Sequence, residues 1–278
     1  MRTRNRFIHR VQPRPAVGQI IAGAVLALLA AWALWPGLFA VAGPLDIDPE
    51  NAFAPPEPGH PLGTDQSGRD LYSRLVHGTR SSLAIGLVST AIGVGLGGAL
   101  GLIAGLGGRA AEAIVGRVIE ALFAFPGLLL ALLLIAVRGP GVVTVTIAVG
   151  LATAPGYARI IRGSIRQARA SGFVTAARLQ GDPAWRIVWA RILPHTLGPL
   201  GVLAALGIGQ AVLTASALSY LGLGAPPPAP EWGAMLNAGR PYLDSAWWLT
   251  VYPGLCIVAV GVATAVLGQG QQQLRRVR

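Results

Sequence analysis

The sequence predicts an all-α membrane protein with six transmembrane helices, and three observations predict it. Only 12% of the 278 residues are charged and 53% are hydrophobic; a soluble domain carries about 25% charge and needs it to stay dissolved. Charge-free runs recur that are long enough for a helix to cross ~30 Å of hydrocarbon, about 20 residues at 1.5 Å each. The basic residues crowd into alternate connections, as they do where loops face the cytoplasm. The single cysteine, Cys256, excludes a disulfide scaffold. There is no lysine among the 22 basic residues. A GxxxxGK[ST] phosphate loop, a lysine Schiff base and a Ser-Lys dyad are therefore impossible.

The helices are expected at 17–41, 82–106, 119–137, 141–158, 198–222 and 248–268. The corresponding organisation is a cytoplasmic tail over 1–16, a first transmembrane helix over 17–42, an external loop over 43–81, and a five-helix core over 82–278. Within that core a long cytoplasmic connection covers 159–195. The first apolar run, Pro15 to Leu45, is too long for a signal h-region and has no small-x-small cleavage site after it, so it reads as a span. With the N-terminus inside, seventeen arginines fall in cytoplasmic segments: Arg2 to Arg14, Arg109, Arg117, the seven from Arg159 to Arg191, and the C-terminal Arg275, Arg276 and Arg278. Arg69, Arg74, Arg80, Arg138 and Arg240 fall outside. Of the acids, only Glu112, Glu120 and Asp182 are inside, so both termini are expected in the cytoplasm. Topology thus accounts for the net charge of +11. A nucleic-acid surface would interleave a basic patch with aromatics, and none is present.

The external loop is acidic, with Asp46, Asp48, Glu50, Glu57, Asp65 and Asp70, and its prolines between Pro44 and Pro61 keep the first half non-helical. Asp70–Arg80 is compatible with a short amphipathic helix ahead of the second span. His60 and His77 lack a nearby third ligand, so a surface role is expected and no metal site. In the second span, Gly93, Gly97, Gly101 and Gly105 recur every four residues on one helix face, where absent side chains let another helix approach.

The connection over 156–195, GYARIIRGSIRQARASGFVTAARLQGDPAWRIVWARILPH, carries the most information. Arg159, Arg162, Arg166 and Arg169 form a basic stripe on a helix leaving the membrane. Phe173–Gln180 reads as a short helix with Ala176 and Ala177 as small residues, and Gly181 suits the left-handed position after it. Asp182 fits an N-cap and Pro183 the first position of a second helix. Trp185, Ile187, Val188 and Trp189 make that helix apolar, and Pro194 marks its end. A docking surface for a partner and an interfacial helix with tryptophans among headgroups are both compatible with this pattern.

Thr175-Ala176-Ala177-x3-Gly181, with Leu193-Pro194 in register, resembles the EAA motif of permease subunits in binding-protein-dependent ABC importers. Thr175 stands where that family has glutamate and Arg191 where it has isoleucine, which removes any ion-pair role of the first position. His60 to Asp70, continuing to Leu83, is similar to the outer loop of the dipeptide/oligopeptide/nickel permeases. Ala217 to Gly224, followed by Pro227-Pro228-x-Pro230-x-Trp232-Gly233-Ala234-Met235, resembles their segment after the fifth span, with Ala215 where an acidic residue is common. Together these cover about 60–278 and point to the C-type (DppC/OppC-like) subunit.

The resemblance implies the MetI-like fold of type I ABC importer permeases and transport of di- or oligopeptides, with nickel or another small solute as an alternative cargo. It implies four partner subunits besides membrane lipid: a paralogous B-type permease, two ATPase subunits and an external solute-binding protein. ATP and magnesium are expected on the ATPases, with no cofactor on this chain. Thr175, Ala176, Ala177, Gly181, Asp182, Pro183, Trp185, Leu193 and Pro194 would form the ATPase-coupling element. Asp65, Arg69, Asp70, Glu231 and Trp232 are placed to contact the binding protein. Gln210, Thr214, Ser216, Ser219 and Tyr220 are the pathway candidates, since polar side chains in a bilayer are costly. A membrane-embedded enzyme is the rival of another class, but neither GxSxG nor HExxH occurs, and His195 and Cys256 stand alone. A secondary transporter would be expected to show intramembrane charges or repeats, and the spans have essentially none.

Overall fold

The structure, a computed structural model, describes residues 17–40, 42–198 and 200–276, with side chains up to residue 270. The expected tail over 1–16 with its five arginines, and Arg278, lie outside the described residues. Every regular element among the described residues is helical, apart from two isolated bridges, Glu57 with His60 and Thr64 with Asp70.

The first apolar run forms α1 (Val17–Leu34), followed by the single turn α2 (Pro36–Phe39). Residues 40–70 are irregular except for a short 3-10 turn, Pro49–Asn51. The second span is longer than its apolar run: α3 covers Leu71–Leu106 as one helix, so 71–81 continues the span where a loop was expected. The cause is its cap. Asp70 accepts a hydrogen bond from the Ser73 backbone N–H at 2.8 Å, which starts the helix there.

The predicted third helix, 119–137, is not one helix. α4 (Arg109–Phe123) and α5 (Gly127–Arg138) meet at a bend of 90°. Pro126 has no N–H to continue the ladder and disfavours helical geometry at Phe125, so the chain turns between them. α5 alone, with 12 residues, reaches about 18 Å and falls short of a hydrocarbon core. α6 (Val142–Arg169) merges the fourth span with the arginine-rich helix beyond it and runs through Pro155. There follow α7 (Gly172–Leu179), α8 (Ala184–Ile187), a wide π turn over Val188–Ile192, α9 (Leu193–Leu197) and α10 (Leu200–Tyr220). Short α11 (Trp232–Gly239) precedes the last span, α12 (Trp248–Arg276). Among the described residues five stretches are long and apolar enough to cross a membrane, and the bent α4–α5 pair, taken as one broken span, makes a sixth.

α3 is the central post. Gly97 and Gly101 bring it so close to α6 that a methyl on Gly97 would lie 2.7 Å from Tyr157 Cβ and one on Gly101 2.8 Å from the Ala158 carbonyl. The glycine stripe therefore forms the α3–α6 seam, as its spacing predicts. α10 packs on α3 beside α6 and on α12, and α1 leans on α12 and α3. The core is layered along the bundle. Leu71, Leu75, Trp232 and Trp248 fill the end that carries the acidic loop, Ile85, Val145, Val149 and Leu218 the middle, and Ile161, Ile165, Val174 and Ile187 the arginine-rich end.

Candidate functional site

At the arginine-rich end α7 and α8 form a knuckle seated on α6. The turn between them is set by Gly181, whose φ of +81° is strained for any other residue. The Asp182 N–H donates to the Ala177 carbonyl at 3.0 Å and the Gly181 N–H to the Arg178 carbonyl at 3.1 Å, the paired bonds of a Schellman end. Val174, Ala177, Ile187 and Ile192 point inward onto Ile161, Ile165 and Ala168 of α6. Ala177 is fully buried because α7 lies flat there; Ala176 is exposed. Arg169 clamps the base by donating from Nη1 to the Gly105 carbonyl at 2.8 Å, which ties the end of α6 to α3.

The outward face of the knuckle is apolar and uncovered. Leu179 is 85% exposed, Trp185 64% and Trp189 70%. Thr175 is exposed and its hydroxyl donates to the Ser171 carbonyl at 3.3 Å. Gly181, Pro183 and Pro194 are exposed as well, and Leu193 is half-buried. Two local expectations are corrected. Asp182 is not the N-cap of the second helix: Pro183 holds that place with ψ of 148°, and the Asp182 carboxylate instead faces Arg186 Nη1 at 3.4 Å. Pro194 does not end its helix. The preceding π turn closes with the Leu193 N–H on the Val188 carbonyl, a wider ring that relieves the clash a proline makes with the turn before it.

A second feature is an open groove of about 640 Å³ between the α4–α5 break, α6 and α10, lined by Pro126, Gly127, Thr153, Tyr157, Gly207 and Gln210. It continues into a second hollow with Leu213, Thr214 and Ala217. Among the described residues no charged side chain lines either. The pathway candidates divide accordingly. Gln210 and Thr214 face the groove, with Gln210 Nε2 donating to Thr214 Oγ1 at 3.5 Å. Ser216 and Ser219 are buried against α11, where a methyl on Gly233 would meet the Ser219 Cβ at 2.7 Å. Tyr220 stands at the helix end under Arg240, 5.7 Å from the ring centre. Thr153 and Tyr157 line the groove and were not singled out by the sequence reading; the clue available was Pro126, a proline inside an expected span.

At the loop end the residues expected to touch a binding protein are interior. Asp65 is 5% exposed because it accepts hydrogen bonds from the Ser67 and Arg69 backbone N–H groups and faces Arg69 and Arg74 at 3.6 and 3.5 Å. Arg69 is half-buried in that pairing. Asp70 is consumed as the cap of α3 and by His60 Nδ1 at 3.1 Å. Glu231 is 1% exposed: its two carboxylate oxygens each accept a 2.9 Å bond, from the Gly233 and Ala234 N–H groups, and so cap α11. Trp232 is wholly buried, its indole N–H donating to the Leu75 carbonyl at 3.1 Å. The exposed surface of this end consists of other residues: Leu45, Ile47, Glu50, Glu57, Leu243, Asp244 and Trp247. Among the described residues no three His, Cys, Asp or Glu side chains are grouped to hold a metal ion.

Known proteins resemble this chain in sequence and in fold. The sequence profile described as "Binding-protein-dependent transport system inner membrane component" matches residues 97–275. The chain is 42% identical over 209 residues to the Di/tripeptide transport system permease protein DppC of Pseudomonas aeruginosa, covering 75% of this chain and 69% of that protein. It is 38% identical over 257 residues to the Glutathione transport system permease protein GsiD of Pectobacterium atrosepticum, covering 90% and 84%. Among solved structures, a chain of the MetNI methionine ABC transporter in an inward-facing conformation superposes with a TM-score of 0.56 at 20% identity, over 73% of this chain and 96% of that one, a likeness of fold.

Proposed function

The chain belongs to the family of binding-protein-dependent transport system inner membrane components, and from that premise we propose that it is the C-type half of a heterodimeric importer for di- and oligopeptides. It is a multi-pass inner-membrane permease subunit and not an enzyme. Our reading puts both termini in the cytoplasm, so that the arginine-rich end and its knuckle face the ATPases while the acidic loop faces the binding protein. The paralogous B-type permease covers the open side of the groove. ATP and magnesium sit on the ATPases, since a chain without lysine cannot build their phosphate loop.

The observation that carries this reading is the α7–α8 knuckle. Its inner face is locked onto α6 and its outer face leaves Trp185, Trp189 and Leu179 exposed among the described residues. Such an element transmits a push from outside into the bundle; packed interfaces shift as bodies instead of deforming. Peptide as cargo is supported by the relatives described as di/tripeptide and glutathione permeases. An uncharged groove also suits a substrate whose common feature is a chain of amides.

The test is Ala176→Trp, which adds bulk on the outer face of α7 and leaves the inner face intact. In the full importer the variant subunit is expected in the membrane at normal amount, with ATPase co-purification and peptide uptake lost. Normal co-purification together with normal uptake would overturn the assignment.

A further inference from the structure

Tyr157 lies in a seat made of three glycines from two helices. A methyl on Gly93 would fall 3.2 Å from its Cε2, one on Gly97 2.7 Å from its Cβ, and one on Gly207 of α10 would coincide with its hydroxyl and lie 3.2 Å from Cζ. Thr90 shares the junction. Its Cγ2 lies 3.2 Å from that same methyl position on Gly207, and its hydroxyl is buried without a hydrogen-bond partner. Tyr157 and Gly207 both line the groove. The ring can therefore lie back against α3 and α10 only because position 207 has no side chain. With any side chain there, the phenol is the partner that must move furthest, since its hydroxyl overlaps the methyl position while Thr90 Cγ2 stays 3.2 Å away.

We infer that Tyr157, parked over Gly207, sets the bore of the groove and with it the length of peptide the importer admits. This rests on the groove being the peptide path proposed above. Selection here is steric, because the groove offers hydroxyl and amide groups and no charge to read a side chain. Gly207→Ala pushes the ring into the groove. Tyr157→Phe removes the atom that the new methyl strikes, so the double variant regains the seat. Tyr157→Ala widens the groove outright.

The experiment uses the complete importer in proteoliposomes and compares uptake of di-, tri- and longer peptides delivered by the binding protein. Gly207→Ala is expected to depress the longest accepted peptide relative to the dipeptide by about tenfold, the scale of one misfitted group in a pocket. Gly207→Ala/Tyr157→Phe restores the wild-type profile, and Tyr157→Ala shifts it towards longer peptides. An equal loss at all lengths in Gly207→Ala, or an unchanged profile in Tyr157→Ala, overturns the inference. A thiol-reactive peptide presented during turnover to Thr153→Cys, in a Cys256→Ala background, separates the two levels. Labelling with an unchanged length profile refutes only the role of Tyr157, whereas absence of labelling refutes the path itself.

Discussion

Replacing Gly97 by alanine tests the α3–α6 seam against ordinary helix propensity. Alanine in a helix is favoured over glycine by about 1 kcal/mol, so a naive expectation is stabilisation. At Gly97 the new methyl lies 2.7 Å from Tyr157 Cβ and 3.0 Å from the Ala158 nitrogen, with the Ala154 carbonyl oxygen closer still. Two of these are backbone atoms that no rotamer change can remove, so α6 must back away from α3. Overpacking of this kind costs about 1–3 kcal/mol, and rigid partners put it at the upper end. The net effect at Gly97 is then a loss of about 2 kcal/mol, roughly 30-fold in the folded-to-unfolded ratio. Gly95 on the same helix has nothing within 4 Å of its methyl position and supplies the propensity term alone. The two variants are compared by reversible unfolding in mixed detergent micelles, read by near-ultraviolet circular dichroism. A separation of about 3 kcal/mol is expected. Equal stability of Gly97→Ala and Gly95→Ala would refute the close-packed seam.

Two further outcomes follow from the loop end. Glu231→Ala removes both acceptors of the α11 cap and is expected to cost about 1–2 kcal/mol, while Glu231→Gln keeps one acceptor and loses less; unfolding midpoints of the purified subunit rank the two, and a neutral Glu231→Ala contradicts the capping role. Glu57→Cys, placed on the exposed part of the acidic loop in a Cys256→Ala background, is expected to react with an impermeant maleimide on intact cells. Reaction only after lysis would reverse the proposed orientation.

What could be read from the sequence was whatever depends on local order. The Leu-Gln-Gly-Asp-Pro run announces a left-handed glycine after a helix, and Gly181 has that conformation with both of its end bonds. A four-residue glycine repeat announces a close helix face, and Gly97 and Gly101 form one. The break at Pro126 was hidden because hydropathy sums side chains over a window and ignores a missing N–H; the leucines on the α5 side masked it. The loop-end charges misled for a different reason. Charged residues are mostly at surfaces, and composition does not tell whether an acidic loop turns its carboxylates to solvent or back onto its own backbone and arginines. Glu231 lies 149 positions from the Ser82 hydroxyl that approaches it, and the Trp248 indole reaches the Thr64 carbonyl across 184 positions. Pairings of that range leave no local trace. Asp65 and Asp70 are held instead by near neighbours, Arg69, Arg74, Ser73 and His60, and with Glu231 they tie the loop end together from within.

The same packing bears on how a push at the knuckle can open a path. α7 and α8 are fixed to α6, α6 is fused to α3 along the glycine seam, and α10 packs on α3 further along, where a methyl on Gly86 would meet the Ile208 carbonyl at 3.2 Å. No layer of loose contacts separates the knuckle from the groove walls. A force on Trp185 and Trp189 therefore moves α3, α6 and α10 as one body, and the two groove walls that this body supplies, α6 and α10, keep their spacing. Access must then alternate where this body meets its partner, on the open side of the groove, by rocking of one bundle against the other. A bore that stays constant through the cycle is also the condition under which a single seated side chain, Tyr157, can act as a length gauge.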